Sequence, residues 1–450
     1  MTTKTQAGDF TTGSIPVKLI KFMLPVLGAL VLQAMYGAVD LLVVGRFGSS
    51  AGISGVATGG SLVNLFTFVV TALTMGVTVL IGRYIGEGRQ DRIGPVIGGA
   101  ICFFAATAIA LSVIMVIFAP VFADWLSAPR EARDLTITYI RICGGGMCFI
   151  VAYNVISGIF RGLGDSRHPL IFVAIACCVN IVGDLVLVAG FHMDVAGAAI
   201  ATIAAQGVSV VISLVIIRRM RDVPFSLRRQ DIRFNGEIRL FLGIGAPLAI
   251  QEFLVEISFL IMCAIVNALG LDASSGYGVA QKLVSFIMLV PSAIMQSMAA
   301  FVAQNVGAGE PVRARRAMAF GMAFGAAIGV VVFTFIFFRG DIPSSWFTGN
   351  ATYIAKSHEY LKGFGLDAVL TCVLFSYMGY FNGNDRAVFT MIQSLVQTFA
   401  VRIPVAWIMS RQASVTLTRI GLAAPAASTV GILLCTVYYF HMKKTMPISD

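Results

Sequence analysis

The second half of this 450-residue chain repeats its first half, and this repeat constrains the fold more than any other feature of the sequence. Tyr139 recurs as Tyr360, which gives an offset of 360 − 139 = 221 residues. Other stretches recur at the same offset: Ile140-Arg141 as Leu361-Lys362, Ile85-Gly86-Glu87-Gly88 as Val306-Gly307-Ala308-Gly309, and Phe160-Arg161-Gly162 as Phe381-Asn382-Gly383. Collinear matches at one offset predict two copies of a single structural unit.

Composition places both copies in a membrane, because 58% of the residues are hydrophobic, only 12% are charged and the mean hydropathy is +0.88. Apolar runs near the ~20 residues that a helix needs to cross a bilayer occur at 17–40, 55–81, 94–120, 136–160, 168–191, 195–217, 240–268, 276–304, 317–338, 357–380, 387–410 and 420–440. We therefore predict an all-α membrane protein with twelve spans in two six-helix repeats. An even number of spans per repeat implies a pseudo-twofold axis along the membrane normal, an arrangement known from secondary transporters.

The net charge of +10 indicates membrane topology rather than nucleic-acid binding. Basic residues cluster in alternate loops: Arg83, Arg89 and Arg92; Arg161 and Arg167; Arg218 to Arg239; Arg313, Arg315 and Arg316; Lys443 and Lys444. By the positive-inside rule these loops and both termini are cytoplasmic, in the cytoplasmic (inner) membrane. The boundaries that we predict are an N-lobe at 1–217, a basic cytoplasmic linker at 218–239 and a C-lobe at 240–450.

The remaining compartment and cofactor signals are weak. Residues 1–12 read as a short polar tail, and no cleavage pattern follows them. All eight cysteines fall in apolar runs, and no spacing among them or the four histidines resembles a zinc site. We expect no cofactor, no nucleic-acid partner and a monomer in contact with membrane lipid.

Charged side chains inside apolar runs are the strongest functional signal, since each costs at least ~2.5 to 3.5 kcal/mol at the bilayer centre. The predicted spans contain seven: Asp40, Asp184, Glu252, Glu256, Lys282, Asp367 and Arg402. In the second half, Lys282 or Arg402 would explain the acids as ion-pair partners, and a functional role for the acids is the alternative. The first half offers no mid-membrane base, so its acids need a proton, a cation or a wet cavity.

Polar residues at helical spacing share faces with these first-half acids. The sets are Gln33, Tyr36 and Asp40; Asn180 and Asp184; and Thr202, Gln206, Ser209 and Ser213. Oxygen ligands of this kind suit a proton or a hard cation such as sodium. Two structural alternatives stay open: Asp40 capping a turn at the end of its helix, and serine hydroxyls bonding their own or a neighbouring helix.

Several motifs together resemble the multidrug and toxic compound extrusion (MATE) transporters over essentially the whole chain. They are the stretch from Asp40 to Gly48, Asn180 with Asp184, the stretch from Phe160 to Arg167, the Tyr-Leu-Lys of Tyr360, and Arg402-Ile403-Pro404.

The resemblance implies two six-helix lobes around a cleft that opens alternately to each side. It also implies export of small cationic, amphipathic compounds against protons or sodium ions. The family's cation-coupling positions match Asp40, Asn180, Asp184 and Thr202, which are also the sodium ligands if sodium is the ion. Some branches carry a second acidic pair, matching Glu256 and Asp367, with Glu252 one turn earlier as a departure. At an offset of 222 residues Asp40 meets Met262 and Asp184 meets Ala406, so the lobes do not share this site.

The substrate cavity is predicted to include Gln33, Tyr36, Gln206 and Arg402. A coupling ion that neutralises Asp40 and Asp184 would release a cationic substrate, and Pro25 either bends the first helix at this step or is a static kink. A flippase for a lipid-linked oligosaccharide is the alternative function, although it predicts more bases in the cavity. A membrane-embedded enzyme is disfavoured because no cluster of catalytic residue types is present, and no repeated filter motif suggests a channel.

Overall fold

The computed structural model describes residues 8–219, 227–412 and 415–445, and within these ranges the chain forms helices and no strands. Eleven helices there are long and apolar enough to cross a membrane. A further pair, Arg133–Gly145 and Met147–Gly162, passes the same test as one span with a bend of 52° between them. Counting the pair as one span gives twelve, so the all-α prediction with twelve spans is confirmed.

The first half of the chain forms eight helices in sequence order. They are α1 at Ile15–Phe47, α2 at Ser50–Gly86, α3 at Ile93–Ile117, α4 at Ala119–Trp125, α5 at Arg133–Gly145, α6 at Met147–Gly162, α7 at Arg167–Asp184 and α8 at Asp194–Arg219. The first helix runs seven residues past the predicted end at 40, because the polar stretch that begins at Asp40 continues the helix rather than forming a turn.

The second half supplies the remaining ten helices. They are α9 at Glu237–Asn267, α10 at Leu271–Ile287, α11 at Leu289–Gly307, α12 at Pro311–Arg339, α13 at Asp341–Ser345, α14 at Ala351–Gly383, α15 at Ala387–Leu395, α16 at Ile403–Ser410, α17 at Leu417–Gly421 and α18 at Ala423–Thr445. Each repeat therefore pairs long spanning helices with one short helix, α4 or α13, after its third span.

The chain divides into two compact units. The first unit contains Leu24–Ala249 and the residues up to Asp9, and the second contains Phe10–Met23 and Ile250–Asp450. Residues 240–249, which the prediction assigned to the C-lobe, thus group with the first unit, and residues 10–23 group with the second. The lobe boundaries drawn from the sequence remain a prediction.

Within the first unit, α9 begins against α2 at a crossing that only glycine fits. A Cβ on Gly76 would lie 2.0 Å from the carbonyl oxygen of Phe241, and one on Gly245 would lie 2.4 Å from that of Leu73. Small residues at such crossings let helix backbones approach closely in membranes. Phe241 itself is fully buried in the core of this unit.

The segment before α9 is anchored to the same unit by polar contacts. The Tyr84 hydroxyl donates to Glu237 at 2.7 Å, and Arg92 pairs with the other carboxylate oxygen at 3.2 Å. Asn235 donates its amide to the carbonyl of Pro95 at 2.8 Å. The end of the basic linker is therefore folded onto α2 and α3, which the sequence interpretation of a mere orientation signal did not include.

The residues before α1 are anchored within the second unit. Phe10 is 5% exposed and its ring lies 5.0 Å from that of Phe22 and 5.1 Å from that of Phe301. Arg313 donates hydrogen bonds to the carbonyls of Phe10, Thr12 and Gly13 at 2.7 to 2.8 Å. The interpretation of residues 1–12 as a polar tail is therefore wrong from Phe10 onward, and residues 1–7 lie outside the described chain.

Two helices contain π-helical segments, which often mark functional positions in membrane and soluble proteins. The first follows Asp184 directly and covers Leu185–Gly190. The second covers Val396–Arg402 and joins α15 to α16. Both segments thus adjoin a charged residue that the sequence placed in the membrane interior.

Candidate functional site

Asp40 lies well inside α1 and is only 3% exposed, so the alternative in which it caps a turn does not describe this structure. The Thr202 hydroxyl, on α8, donates to Asp40 Oδ2 at 3.0 Å. The other carboxylate oxygen, Oδ1, is buried without a hydrogen-bond partner among the described residues. One side of this carboxyl is therefore held and the other is available to a proton or a cation.

Asp184 and Asn180, one turn apart on α7, lie against the Asp40 carboxyl. Both are fully buried. Across the described ranges neither oxygen of Asp184 and neither polar side-chain atom of Asn180 has a hydrogen-bond partner. A carboxyl in such surroundings is costly unless it is protonated, paired or bound to a cation.

The predicted polar faces come together only in part. Gln206 donates its amide to the Tyr36 hydroxyl at 3.2 Å, one turn from Thr202 and Asp40 on their helices. Gln33 points instead to Tyr153 at 3.5 Å. Ser209 and Ser213 bond backbone carbonyls, of Phe172 and Val210 respectively, which is the structural alternative foreseen for them.

Two residues of α5 belong to this site although the sequence did not single them out for it. Tyr139 and Cys143 are both buried, and both interact electrostatically with Asp40. Aromatic and thiol groups in an apolar run look like packing residues. The recurrence of Tyr139 as Tyr360 was the one available signal.

The electrostatics of the first unit are dominated by these two acids. Among the residues that the structure describes, no lysine or arginine forms an ion pair with Asp40 or Asp184. Two carboxyls, an amide and a hydroxyl therefore converge without a compensating base. Oxygen donors of this type fit a hard monovalent cation such as sodium, and the acids alone fit a proton.

The second unit holds a different set of charged groups. Asp367, on α14, is 3% exposed, and the hydroxyls of Thr371 and Ser428 lie beside its carboxyl. Glu252 and Glu256, one turn apart on α9, are half-buried and interact with each other. The predicted second acidic site therefore consists of one buried acid and two partly exposed ones.

Arg402 is the base of this second set. Its guanidinium donates to the hydroxyl of Ser258 and lies over the ring of Phe259, with Cζ 4.5 Å from the ring centroid. It interacts electrostatically with Glu256 and Asp367. In the described part of the chain, however, neither Arg402 nor Lys282 comes within ion-pair distance of any of the three acids. Lys282 is exposed, so the expected pairing of these acids with Lys282 is wrong.

Tyr360 occupies the second unit as Tyr139 occupies the first. Its ring meets that of Tyr277 edge to face at 5.1 Å. It interacts electrostatically with Arg402 and Asp367. Each unit therefore places the repeated tyrosine near its own charged cluster.

Two duplicated helical units with buried, unpaired acids in spanning helices define a membrane transporter rather than an enzyme. The family model described as MatE matches residues 25–186 and again residues 247–408. The chain belongs to the MatE family, and the resemblance read from its motifs is confirmed.

Relatives of known sequence and structure agree with this assignment. The chain is 26% identical over 445 residues to the probable multidrug resistance protein YoeA of Bacillus subtilis, covering 95% of this chain and 94% of that one. It is 27% identical to the probable multidrug resistance protein YpnP of the same organism, covering 87% and 86%. A crystal structure of a MATE protein in complex with MaL6 superposes with a TM-score of 0.91 at 18% identity, over 98% of this chain and all of that one.

Proposed function

We propose that this protein is a secondary multidrug exporter that exchanges small organic cations for protons or sodium ions by alternating access. Membership of the MatE family supports transport. The printed names of YoeA and YpnP support organic compounds as the cargo. The protein would lie in the cytoplasmic membrane as a monomer in contact with lipid, with both termini on the cytoplasmic side.

The observation that carries this proposal is the Asp40 and Asp184 pair. Both carboxyls are buried, they lie together, and three of their four oxygens have no hydrogen-bond partner in the described chain. Such a pair favours binding of positive charge, whether a proton, a sodium ion or an organic cation. Because these cations neutralise the same charge, the binding of one weakens the attraction for another.

Competition of this kind is sufficient for antiport. An ion that enters from outside neutralises the pair and lowers the affinity for a bound organic cation, which then leaves. The ion departs to the cytoplasm when the site opens there, and the acids recover their charge. Each pH unit of gradient supplies ~1.4 kcal/mol per coupled proton, which supports about a tenfold concentration ratio.

Efflux of a fluorescent cationic dye from energised cells tests the proposal. We expect Asp184→Asn to lose active efflux at wild-type membrane levels, because an amide cannot release or bind a proton as the carboxyl does. Ser209→Ala is the matched control, since its hydroxyl only bonds the carbonyl of Phe172. Dissipating the proton or the sodium gradient separately then identifies the coupling ion.

Two results would contradict this proposal. Unchanged efflux in Asp184→Asn would move ion coupling away from the first unit. The absence of dye efflux from wild-type cells under either gradient would favour the flippase function, whose amphiphilic cargo a lipid-translocation assay detects.

A further inference from the structure

The two matches to the family model define which residues of the two units are equivalent. They begin at 25 and 247 and end at 186 and 408, so both ends are displaced by 222 residues. At this displacement Asn180 corresponds to Arg402 and Asp184 to Ala406. On the first helix of each repeat, Tyr36 corresponds to Ser258 and Asp40 to Met262.

The second unit thus has an arginine where the first has the amide of its cation site. Both acids of that site are replaced by apolar residues, and these are buried, with Met262 at 3% exposure and Ala406 at 0%. The second unit consequently has no carboxyl of its own at the two positions that would hold a mobile ion.

The side chain of Arg402 crosses to the helix that corresponds to α1. It donates to Ser258, the equivalent of Tyr36, and stacks on the neighbouring Phe259 with a separation of 4.5 Å. In the first unit the equivalent residue, Asn180, lies against Asp40 on α1. The guanidinium therefore spans the same helix pair that encloses the cation site in the first unit.

The acids around Arg402 come from other positions of the fold. Glu256 lies half a turn before Ser258 on α9, and Asp367 lies on α14, and the charge of Arg402 acts on both. No carboxylate of the described residues lies within ion-pair distance of the guanidinium, and its Nε is buried without a hydrogen-bond partner there. Ser258 and Phe259 hold the charge in place, and the acids share it.

We propose that Arg402 is a resident cation, fixed in the second unit at the position where the first unit takes its coupling ion. The guanidinium balances Glu256 and Asp367 throughout the transport cycle, so no proton or sodium ion exchanges at this position. That the first unit carries the coupling ion rests on the proposed function, whereas the resident cation does not depend on transport.

The resident cation predicts that removing it creates a need for a mobile one. Purified Arg402→Ala should melt at a lower temperature than the protein with Arg402. Low millimolar guanidinium chloride should then raise the Tm by several degrees, because a ligand that binds only the folded state stabilises it. Sodium chloride is the second probe, with choline chloride at equal ionic strength as its control.

Carrying Asp184→Asn in every variant removes the cation response of the first unit from this measurement. Arg402→Lys keeps the charge and should show no response to added cation. Arg411→Ala is the matched arginine control, since Arg411 also lies over a ring, that of Trp407 at 5.4 Å, but is exposed. It too should show no response.

Neutralising the acids should abolish the requirement. Glu256→Gln with Asp367→Asn in the Arg402→Ala protein should restore much of the lost Tm and remove the guanidinium response. If Arg402→Ala does not yield folded protein, this triple change should do so, because it removes the charges that the arginine balanced.

The proposal is overturned if Arg402→Ala melts like the protein with Arg402 and ignores added cation. It is also overturned if the triple change fails to recover folded protein or leaves the response intact. These outcomes do not involve dye efflux, so they are distinguishable from a failure of the proposed transport function.

Discussion

Tyr139 in the first unit and Tyr360 in the second are equivalent residues of the repeat, and each lies near an acid of its own unit. Their surroundings differ in charge. Tyr139 faces Asp40, whose neighbours Asn180 and Asp184 bring no base, whereas Tyr360 interacts with both Asp367 and Arg402. The duplicated fold has kept a buried aromatic residue and changed the balance of charge around it. Equivalent positions in the two halves therefore need not do equivalent work.

The largest effect should follow from moving the charge of the second unit into the first. Asn180→Arg would place a guanidinium beside Asp40 and Asp184, where it would act as a permanent cation. We expect active dye efflux to fall to the level of cells without the protein, while the melting temperature stays near that of wild type because the new charge is compensated. Asn180→Gln, which keeps an amide, is the control. Efflux retained by Asn180→Arg would show that the two units do not differ in this way.

A tenfold difference should separate the buried aspartates of the two units. Asp40→Asn removes a group that binds the coupling ion, and loss of one coupled proton lowers the dye gradient by about tenfold at a difference of one pH unit. Asp367→Asn should change the gradient much less, because its charge is balanced by Arg402. Dye accumulation in everted vesicles at a fixed pH difference measures both. Equal losses in the two variants would assign coupling to both units.

The smallest effect should distinguish the hydroxyls that accompany these acids. Thr202→Val removes the 3.0 Å hydrogen bond to Asp40. A hydrogen bond to a charged group contributes ≈ 1.5–3 kcal/mol, so the ion concentration at half-maximal efflux should shift by about tenfold or somewhat more. Thr371→Val, beside Asp367, is the matched change in the second unit and should leave this concentration unaltered. A shift in the Thr371 variant alone would reverse the comparison.

Much of this arrangement was predictable because a bilayer penalises polar groups so strongly. The twelve spans follow from apolar runs, and Asp40 and Asp184 stand out as acids that no nearby base neutralises. The repeat placed Ala406 opposite Asp184, which already showed that the second unit lacks the same site. These features depend on composition and spacing, which a single sequence contains.

Other features depend on tertiary contacts that spacing does not contain. Tyr139 and Cys143 look like packing residues until α5 is seen to lie near Asp40. The burial of Phe10 is hidden in a short polar segment, because it depends on the rings of Phe22 and Phe301. Arg402 was expected to line a cavity or pair with an acid, and its contact with Ser258 could not be read from residues 144 positions apart. The π-helical segments follow from backbone hydrogen-bond register, for which the sequence carries no simple signal.

The glycine crossing of α2 and α9 has a consequence for how the protein is made. Gly76 leaves the ribosome long before Phe241 and Gly245, the residues whose backbone packs against α2. During translation α2 must therefore wait, already inserted, for a partner that belongs to the next repeat. A gene divided in the linker would release a first fragment without that partner, so a split at 217 should give halves that fold poorly when produced apart. The duplicated ancestor, in contrast, must have covered this face by pairing with a second copy of itself.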